Sequence, residues 1–436
     1  MTETSMNNAS WLRKAVMLFT LLAVVTAPFD ELLALELNGL SFRLSQLFIA
    51  VACLGLLVLW ITQRELRLPF GWHVFAFLLV LNLGLCFVTK SESLVYQLGY
   101  EAWFALDIAL TVLCVGVFQT QEEKDFLLRV YLMVFVVMAA VCMFQLVAGL
   151  FGFKFYVDQY MGNLPRCDAF LSEPSYYACF ALPGWVFFGY MIEMGETVMF
   201  TPAWYKRIWG LLTVAVVFST SRMSFLMIGA WLAFRLFNTF LTGEQKKERR
   251  RRVLFLACGT LVAVLLLVAF YYLASFITEL RSSITELRSS ESFGVGFADR
   301  ITDVSGSDTP RIEGMLATLY AFWKNHLLVG SSLGGAYAEV MRVAPDDVWQ
   351  VSNLFAELAV SLGVPGLAAL AIYMVGIIRK SCAVKGNPVV MALLWGLLWQ
   401  LGILQFNNNG LRIYLWVNIA LLGVYLPVKR IRFGKE

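Results

Sequence analysis

Charge is scarce in this chain. Only 15% of its 436 residues are Asp, Glu, Lys or Arg, against 59% hydrophobic, where a soluble domain carries roughly a quarter charged residues. A water-soluble fold of this length could not hide that much apolar surface in one core. Histidine is scarcer still: there are two, His73 and His326, which nearly excludes a histidine-built metal site. No two of the eight cysteines stand at C-x-x-C spacing. Most (Cys53, Cys114, Cys142, Cys258) lie inside apolar runs and read as small hydrophobes. Cys167 stands in a polar segment, where a bridge to Cys86 or Cys179 is an open alternative. No small-residue cleavage site follows Arg13-Lys14 and its apolar run, so the first hydrophobic segment reads as a retained helix rather than a removed signal.

What is abundant is long apolar sequence, and the mean hydropathy is +0.72. Runs that span a bilayer, or nearly so, cover 15–34, 44–62, 71–89, 102–119, 126–151, 175–194, 205–220, 223–241, 253–276, 354–378, 388–405 and 411–427, since a crossing needs roughly 20 apolar residues. The expected fold class is therefore an all-α polytopic membrane protein with about twelve spans; ten or fourteen keep the same parity. The division between 205–220 and 223–241 rests on Ser219-Thr220-Ser221-Arg222, because a fixed charge at the bilayer centre is costly and Arg222 belongs near a surface or a wet cavity.

The +4 net charge matters less than its distribution. Arg13-Lys14, Arg64, Arg67, Lys206-Arg207, Lys246-Lys247, Arg249 to Arg252, Arg379-Lys380 and Lys429-Arg430 fall in one set of loops. The alternate short loops hold mostly single cations: Arg43, Lys90, Lys154, Arg166, Arg222 and Arg412. The positive-inside rule then predicts both termini in the cytoplasm. The chain divides into spans over 1–277, a long outer insertion over 278–352, and further spans and a tail over 353–436. The insertion opens on a repeat, in which Ile277 to Ser283 recurs as Ile284 to Ser290. Its heptad spacing predicts an amphipathic helix. The plain reading is that the preceding helix continues outward; the sharper one is a docking surface for a partner helix. The Gly- and Ser/Asp-rich residues beyond it read as a flexible loop.

Five outward features carry the candidate chemistry. They are Arg166-Cys167-Asp168 leading to Glu173-Pro174-Ser175; Ser219-Thr220-Ser221-Arg222; Arg311, opening an amphipathic stretch over 311–324; Asp346-Asp347-Val348-Trp349 with Ser352-Asn353; and Asn407-Asn408-Asn409-Gly410 with Arg412. Several are arginines expected at one depth, where lysine is scarce. A guanidinium is always charged, and its planar fork suits a diphosphate. The plainer account is that they snorkel, or pair with Asp168, Glu173 and Asp347 to fasten loops.

Residues 160–425 resemble the superfamily of Wzy-type O-antigen polymerases and WaaL-type O-antigen ligases. Arg166 with Phe170-Leu171-Ser172-Glu173-Pro174-Ser175 is similar to the polymerase stretch R-x-G-x-x-x-E-P, and Ser219-Thr220-Ser221-Arg222 to S-x-S-R. Arg311 followed by Trp323, His326 and Gly330 is similar to R…W…H-P-x-x-G. Asn353-Leu354-Phe355-Ala356-Glu357 with Gly363-Val364-Pro365-Gly366 is similar to H-N-x-x-x-x…G-x-x-G. Residues 1–150 match in hydropathy alone. Two positions depart: Ser352 stands where ligases place a histidine, and Leu327 replaces the usual proline. The missing histidine favours a polymerase and removes the most obvious general base.

The resemblance implies a GT-C-like inverting glycosyltransferase of the bacterial inner membrane with a periplasmic site. It implies that undecaprenyl-diphosphate-linked oligosaccharides are both donor and acceptor. Membrane lipid and a chain-length-regulating co-polymerase of Wzz type are the other expected partners, and nucleic acid is not one. Arg222 and Arg311 are the expected diphosphate clamp; Glu173, then Asp347, the expected base. Arg166, Ser221, Asn353 and Arg412 are expected to bind substrate. No D-x-D motif or His/Cys cluster occurs, so no cofactor or metal is expected, with Asp346-Asp347 the weak point of that expectation. The rivals are a ligase acting on lipid A–core and a flippase for the same lipid-linked sugars. A flippase should carry charges inside its spans, whereas here polar groups gather at the outer face. A sensor or channel built around 278–352 lacks a Gly/Ser filter or ring of charge.

Overall fold

The computed structural model describes all residues except 1–2, 30–33, 38–39, 90, 152, 154, 156–159, 162–163, 241–246, 286–307, 344–352, 408–409 and 433–436. The described residues are mostly helical. The helices are α1 (Glu3–Thr26), α2 (Leu44–Gln63), α3 (Trp72–Val88), α4 (Leu94–Val117), α5 (Gln121–Leu150), α6 (Pro174–Met194), α7 (Pro202–Phe218), α8 (Arg222–Phe240) and α9 (Lys247–Thr285). After them come α10 (Asp308–Ala321), a π-helical turn over Phe322–His326, α11 (Ala336–Val343), α12 (Leu354–Ala383), α13 (Pro388–Ile403) and α14 (Ile413–Tyr425). Short strands pair as β1 (Ala34–Leu37) with β2 (Leu40–Arg43), β3 (Glu65–Leu68) with β6 (Lys429–Arg432), and β4 (Tyr160–Met161) with β5 (Leu164–Pro165), all antiparallel.

Every apolar run read from the sequence falls on a helix for most of its length; the first, 15–34, is helical only as far as Thr26, Ala34 belongs to β1, and residues 30–33 lie outside the described residues. Among the described residues five helices are long and apolar enough to cross a membrane: α2, α4, α5, α9 and α12; α3, α13 and α14 are shorter apolar helices. Several boundaries move. α1 begins at Glu3 rather than near residue 15, and α4 at Leu94 rather than 102. α9 runs through to Thr285, so the first copy of the seven-residue repeat continues the preceding helix; residues 286–290 of the second lie outside the described residues. None of the eight cysteines forms a disulfide, so Cys167 makes no bridge to Cys86 or Cys179. Its thiol donates to the carbonyl of Cys142 at 3.2 Å.

The chain forms two compact units. The first comprises Met1–Tyr131, Asp308–Leu397 and Leu404–Glu436; the second comprises Leu132–Ser307 and Leu398–Ile403.

In the first unit α1 lies along α2, close enough that a Cβ at Gly55 would sit 2.5 Å from Val16. Aromatic packing joins α3 and α4 to α12 and α14. Phe75 lies 4.7 Å from Tyr373 and 5.9 Å from Trp416, and Phe104 lies 5.6 Å from Trp416, between ring centroids. One end gathers cations: β3 pairs with β6, placing Glu65 opposite Arg432 and Arg67 opposite Arg430. At that end Arg13 reaches Glu123 at 2.6 Å and the carbonyl of Val117 at 2.8 Å.

α12 is interrupted. Gly363 has φ 64° and ψ −173°, two residues before Pro365. That break frees backbone groups, and unpaired backbone inside a membrane protein costs several kcal/mol per group. The segment 327–332 satisfies them. Ser331 and Ser332 donate their N–H groups to the carbonyls of Val360 (2.8 Å) and Ser361 (3.0 Å), and Val364 donates to Leu327 (2.9 Å). Gly330 permits the approach, since a Cβ there would lie 2.1 Å from the Ser361 oxygen.

In the second unit α6 is buried along nearly its whole length. Trp185 packs against Trp209 at 5.8 Å and Trp231 at 5.2 Å, and its indole N–H donates to Thr213 Oγ1 at 2.8 Å. Lipid tails are as apolar as these side chains, so close packing and such bonds, more than apolar burial, hold helices together in a bilayer. α6 ends at Gly195, in the left-handed region at φ 72°, its N–H returning to Met191 and Ile192. Beside it Glu193, fully buried, accepts from Arg235 (2.5 and 2.6 Å) and Arg249 (2.6 Å).

Candidate functional site

The end of the second unit opposite Glu193 contains four of the residues singled out from the sequence, Arg166, Glu173, Ser221 and Arg222. Arg166 lies just after β5 and is 7% exposed. Its Nε donates to Thr220 Oγ1 at 2.7 Å. Thr220 is the turn between α7 and α8. It holds a left-handed φ of 52°, a conformation that costs a β-branched residue of order 1–3 kcal/mol and persists only where surroundings enforce it. The turn is fixed on both sides: Ser219 Oγ donates to the Val216 carbonyl and Ser224 Oγ to that of Ser221, both at 2.6 Å. Arg222, half-buried, opens α8 two residues after Thr220. Two motifs more than fifty residues apart in sequence thus meet through a side-chain bond, and buried Ser221 follows Thr220 in the turn.

Asp168 and Ala169 are held by Gln145, a fully buried amide on α5. Its Nε2 donates to Asp168 Oδ1 (2.9 Å) and the Ala169 carbonyl (2.7 Å), and its Oε1 accepts the Ala169 N–H (2.9 Å). This clamp fixes Ala169 at φ 57° and sets the chain's entry to α6. Glu173 is the N-cap residue of α6, and Pro174 is its first helical residue. The Glu173 carboxylate is half-exposed and accepts from Ser175 Oγ at 2.8 Å. A buried guanidinium on a strained Ser/Thr turn and a half-exposed carboxylate at a helix start therefore belong to one unit. Such a set can hold an oxyanion and accept a proton.

The first unit holds the other motifs. Thr89 donates to the Ser331 carbonyl (3.0 Å), Ser332 Oγ donates to Gln97 Oε1 (2.8 Å), and the Leu333 N–H donates to Asn82 Oδ1 (2.9 Å). These bonds seat 331–333 on α3 and α4 while its other face mends α12, so Gly330 and Gly363, from separate motifs, form one structure. His326 closes the π-helical turn, with Nε2 3.1 Å from Glu339 Oε2 and Nδ1 3.3 Å from the Val329 carbonyl. Glu339 also pairs with Arg342. Burial pushes the Glu339 carboxyl up, but the bonds from Ser91 and His326 and the charge of Arg342 outweigh it and hold it below the usual range.

Asn353 caps α12: its Oδ1 accepts the Ala356 N–H and its Nδ2 donates to the Gln405 carbonyl, both at 2.9 Å. Both ends of this amide are thus engaged in fastening the helix start. Arg412 is the N-cap residue of α14 and is half-buried. Arg311 lies in the first turn of α10, its side chain outside the described residues, as are Asp346, Asp347, Trp349 and Ser352 altogether. Among the described residues no group of His, Cys, Asp and Glu could hold a metal ion.

The sequence reading passed over Gln145 and Glu339. The signal for the first was a lone amide within the apolar run 126–151. The local signal for the second was Arg342, three residues on; its other partners lie thirteen residues away (His326) and in the loop before α4 (Ser91). No protein-family model matches the chain, and no curated protein matches it significantly.

Proposed function

We propose that the chain is a polymerase of lipid-linked oligosaccharides: an inverting glycosyltransferase of the bacterial inner membrane, with about twelve spans in a GT-C-like arrangement. The observation that carries the reading is the bond from Arg166 to Thr220, which joins two motifs of the O-antigen polymerase and ligase superfamily on one strained turn. The cationic end of the first unit, with Arg13, Arg67, Arg430 and Arg432, supports cytoplasmic termini; the transfer site is then periplasmic.

In the proposed step an acceptor hydroxyl oxygen attacks the anomeric carbon of the donor chain as its bond to the undecaprenyl diphosphate breaks. The diphosphate leaves with the electron pair. Arg222 and Arg311 neutralise it, with Arg166 a third contact in a site of low dielectric. The hydroxyl proton passes to a carboxylate, Glu173 first and Asp347 second. Ser221 contacts the substrate beside Arg222, Arg412 is a further proposed substrate contact, and Asn353 serves as the cap of α12. A Wzz-type co-polymerase sets chain length.

Gene deletion followed by silver-stained lipopolysaccharide tests the reading. A single repeat on the core is the expected result. A core without repeats points to a ligase, and lipid-linked units trapped on the cytoplasmic side point to a flippase; either overturns the polymerase. For the base, Glu173→Gln should stop turnover of a synthetic lipid-linked repeat while binding persists. Near-normal elongation removes Glu173 from the chemistry and leaves Asp347.

A further inference from the structure

The cationic end of the first unit contains a cavity of about 260 Å³ between α1, α2, α4 and β3. Its walls divide by chemistry. Leu56, Leu59 and Trp60 from α2, with Gly116 from α4, form an apolar side; Arg13, Arg67 and Gln63 form a polar one. Glu65 also lines it; with the ion-pair partners of these side chains included, Arg13, Arg67 and Arg432 stand against Glu65 and Glu123, three positive charges to two negative, a sum of +1.

The two guanidiniums are only partly committed. Arg67 donates Nε to Glu65 Oε1 at 3.0 Å, and its Nη groups have no partner among the described residues. Arg13 uses Nε and Nη2 on Val117 and Glu123, which leaves Nη1. Glu65 is shared between Arg67 and Arg432. Burial raises its carboxyl, but the two guanidiniums hold it below the usual range, so it stays an anion occupied by its own partners. The cavity therefore offers free N–H donors with one excess positive charge, beside an apolar wall on the last two turns of a helix long enough to cross the membrane. Leu57, Val58 and Ile61 on the same turns are exposed, which is where acyl chains would run.

We propose that this cavity binds the headgroup of an anionic phospholipid, its phosphodiester on Arg13 and Arg67 and its first acyl methylenes along Leu56, Leu59 and Trp60. Basic pockets between membrane helices on the cytoplasmic side suit such headgroups. One phosphodiester carries the single negative charge that the cavity lacks. The site does not depend on the transfer chemistry and stands or falls separately from it.

The test is native mass spectrometry of the full chain released from detergent, with dioleoylphosphatidylglycerol or dioleoylphosphatidylcholine added. The wild type should retain the anionic lipid about fivefold better, the worth of roughly one guanidinium near a lipid phosphate. Arg67→Gln should erase that preference and Arg67→Lys keep most of it. Gly116→Leu should displace the lipid without changing charge, because a Cβ there already stands 3.3 Å from Leu56. Equal retention of the two lipids by the wild type overturns the proposal, and that arm needs no variant. So does an unchanged adduct in both Arg67→Gln and Gly116→Leu. Displacement of the lipid by excess inorganic phosphate also overturns it, since the site would then be one for a soluble anion.

Discussion

Thr220 separates the fold from the chemistry in one position. Its hydroxyl oxygen accepts from the buried Arg166 at 2.7 Å, and its backbone holds φ 52°. A hydrogen bond to a charged group contributes about 1.5–3 kcal/mol, and neither partner is exposed enough for solvent to screen it. Against that, a β-branched residue in the left-handed region costs about 1–3 kcal/mol, which glycine does not incur. In Thr220→Gly the two effects oppose each other, and net stability should shift by no more than about 2 kcal/mol in either direction. Activity has no such compensation. Arg166 loses the contact that aims it, and a loss of about 1.5–3 kcal/mol of positioned charge corresponds to about ten- to hundredfold in rate. Thr220→Asn keeps an acceptor and tolerates the backbone, so it should retain more activity than Thr220→Gly; Thr220→Val loses the acceptor and keeps the strain, so it should lose both activity and stability. The assays are melting temperature in detergent and turnover of a synthetic lipid-linked repeat. Full turnover by a stably folded Thr220→Gly would refute the positioning argument and leave the Arg166 bond a loop fastening.

Arg222→Ala and Arg311→Ala should each abolish chain elongation while the protein still reaches the membrane, and the lysine variants should rescue poorly because a point charge lacks the bidentate fork; wild-type chain length in both lysine variants removes the diphosphate role. A cysteine introduced near residue 306 should react with an impermeant thiol reagent from outside and one near Lys247 should not; the opposite labelling inverts the topology. Glu193→Gln should lower stability by about 3–5 kcal/mol, because it strands the buried Arg235 and half-buried Arg249 without their counter-charge; a wild-type melt and yield would show that the network is not needed. The Glu339 carboxyl is held low, so its contribution to stability is full above the ordinary carboxylate value and is lost as pH falls through its lowered one; an acid melt should flatten in Glu339→Gln, and an unchanged profile would assign the acid limb elsewhere.

The helices were legible because hydropathy reads directly the one thing a bilayer demands, an apolar length with its backbone bonded internally. Where the chain satisfies polar groups inside a helix, that reading slips. α4 begins at Leu94 because Ser93 caps it, accepting the Tyr96 N–H at 3.3 Å. Gln97 and Glu101 lie outside the apolar run 102–119, yet they are on α4, where Gln97 accepts from Ser332 and Glu101 from Asn82. The motif around Glu173 could be placed at a helix start from Pro174 alone, since proline suits the first turn. The partner of Arg166 could not, because a hydroxyl fifty-four residues on in the chain becomes its acceptor only once α7 and α8 have turned. Gly363 and Pro365 mark a break within the run 354–378, but the groups that mend it come from 327–332, in another motif.

That repair has a consequence for how the protein is made. The ribosome delivers 327–332 before α12, and Asn82, Thr89 and Gln97, which seat 331–333, earlier still. The mending segment can therefore be docked while α12 is still leaving the insertion machinery, so its unbonded carbonyls at Val360 and Ser361 meet donors as they enter the membrane. Reversing that order, by a circular permutation that places 354–383 ahead of 327–335, would deliver a helix with open backbone groups and nothing to close them, a nascent chain for quality-control proteases to remove.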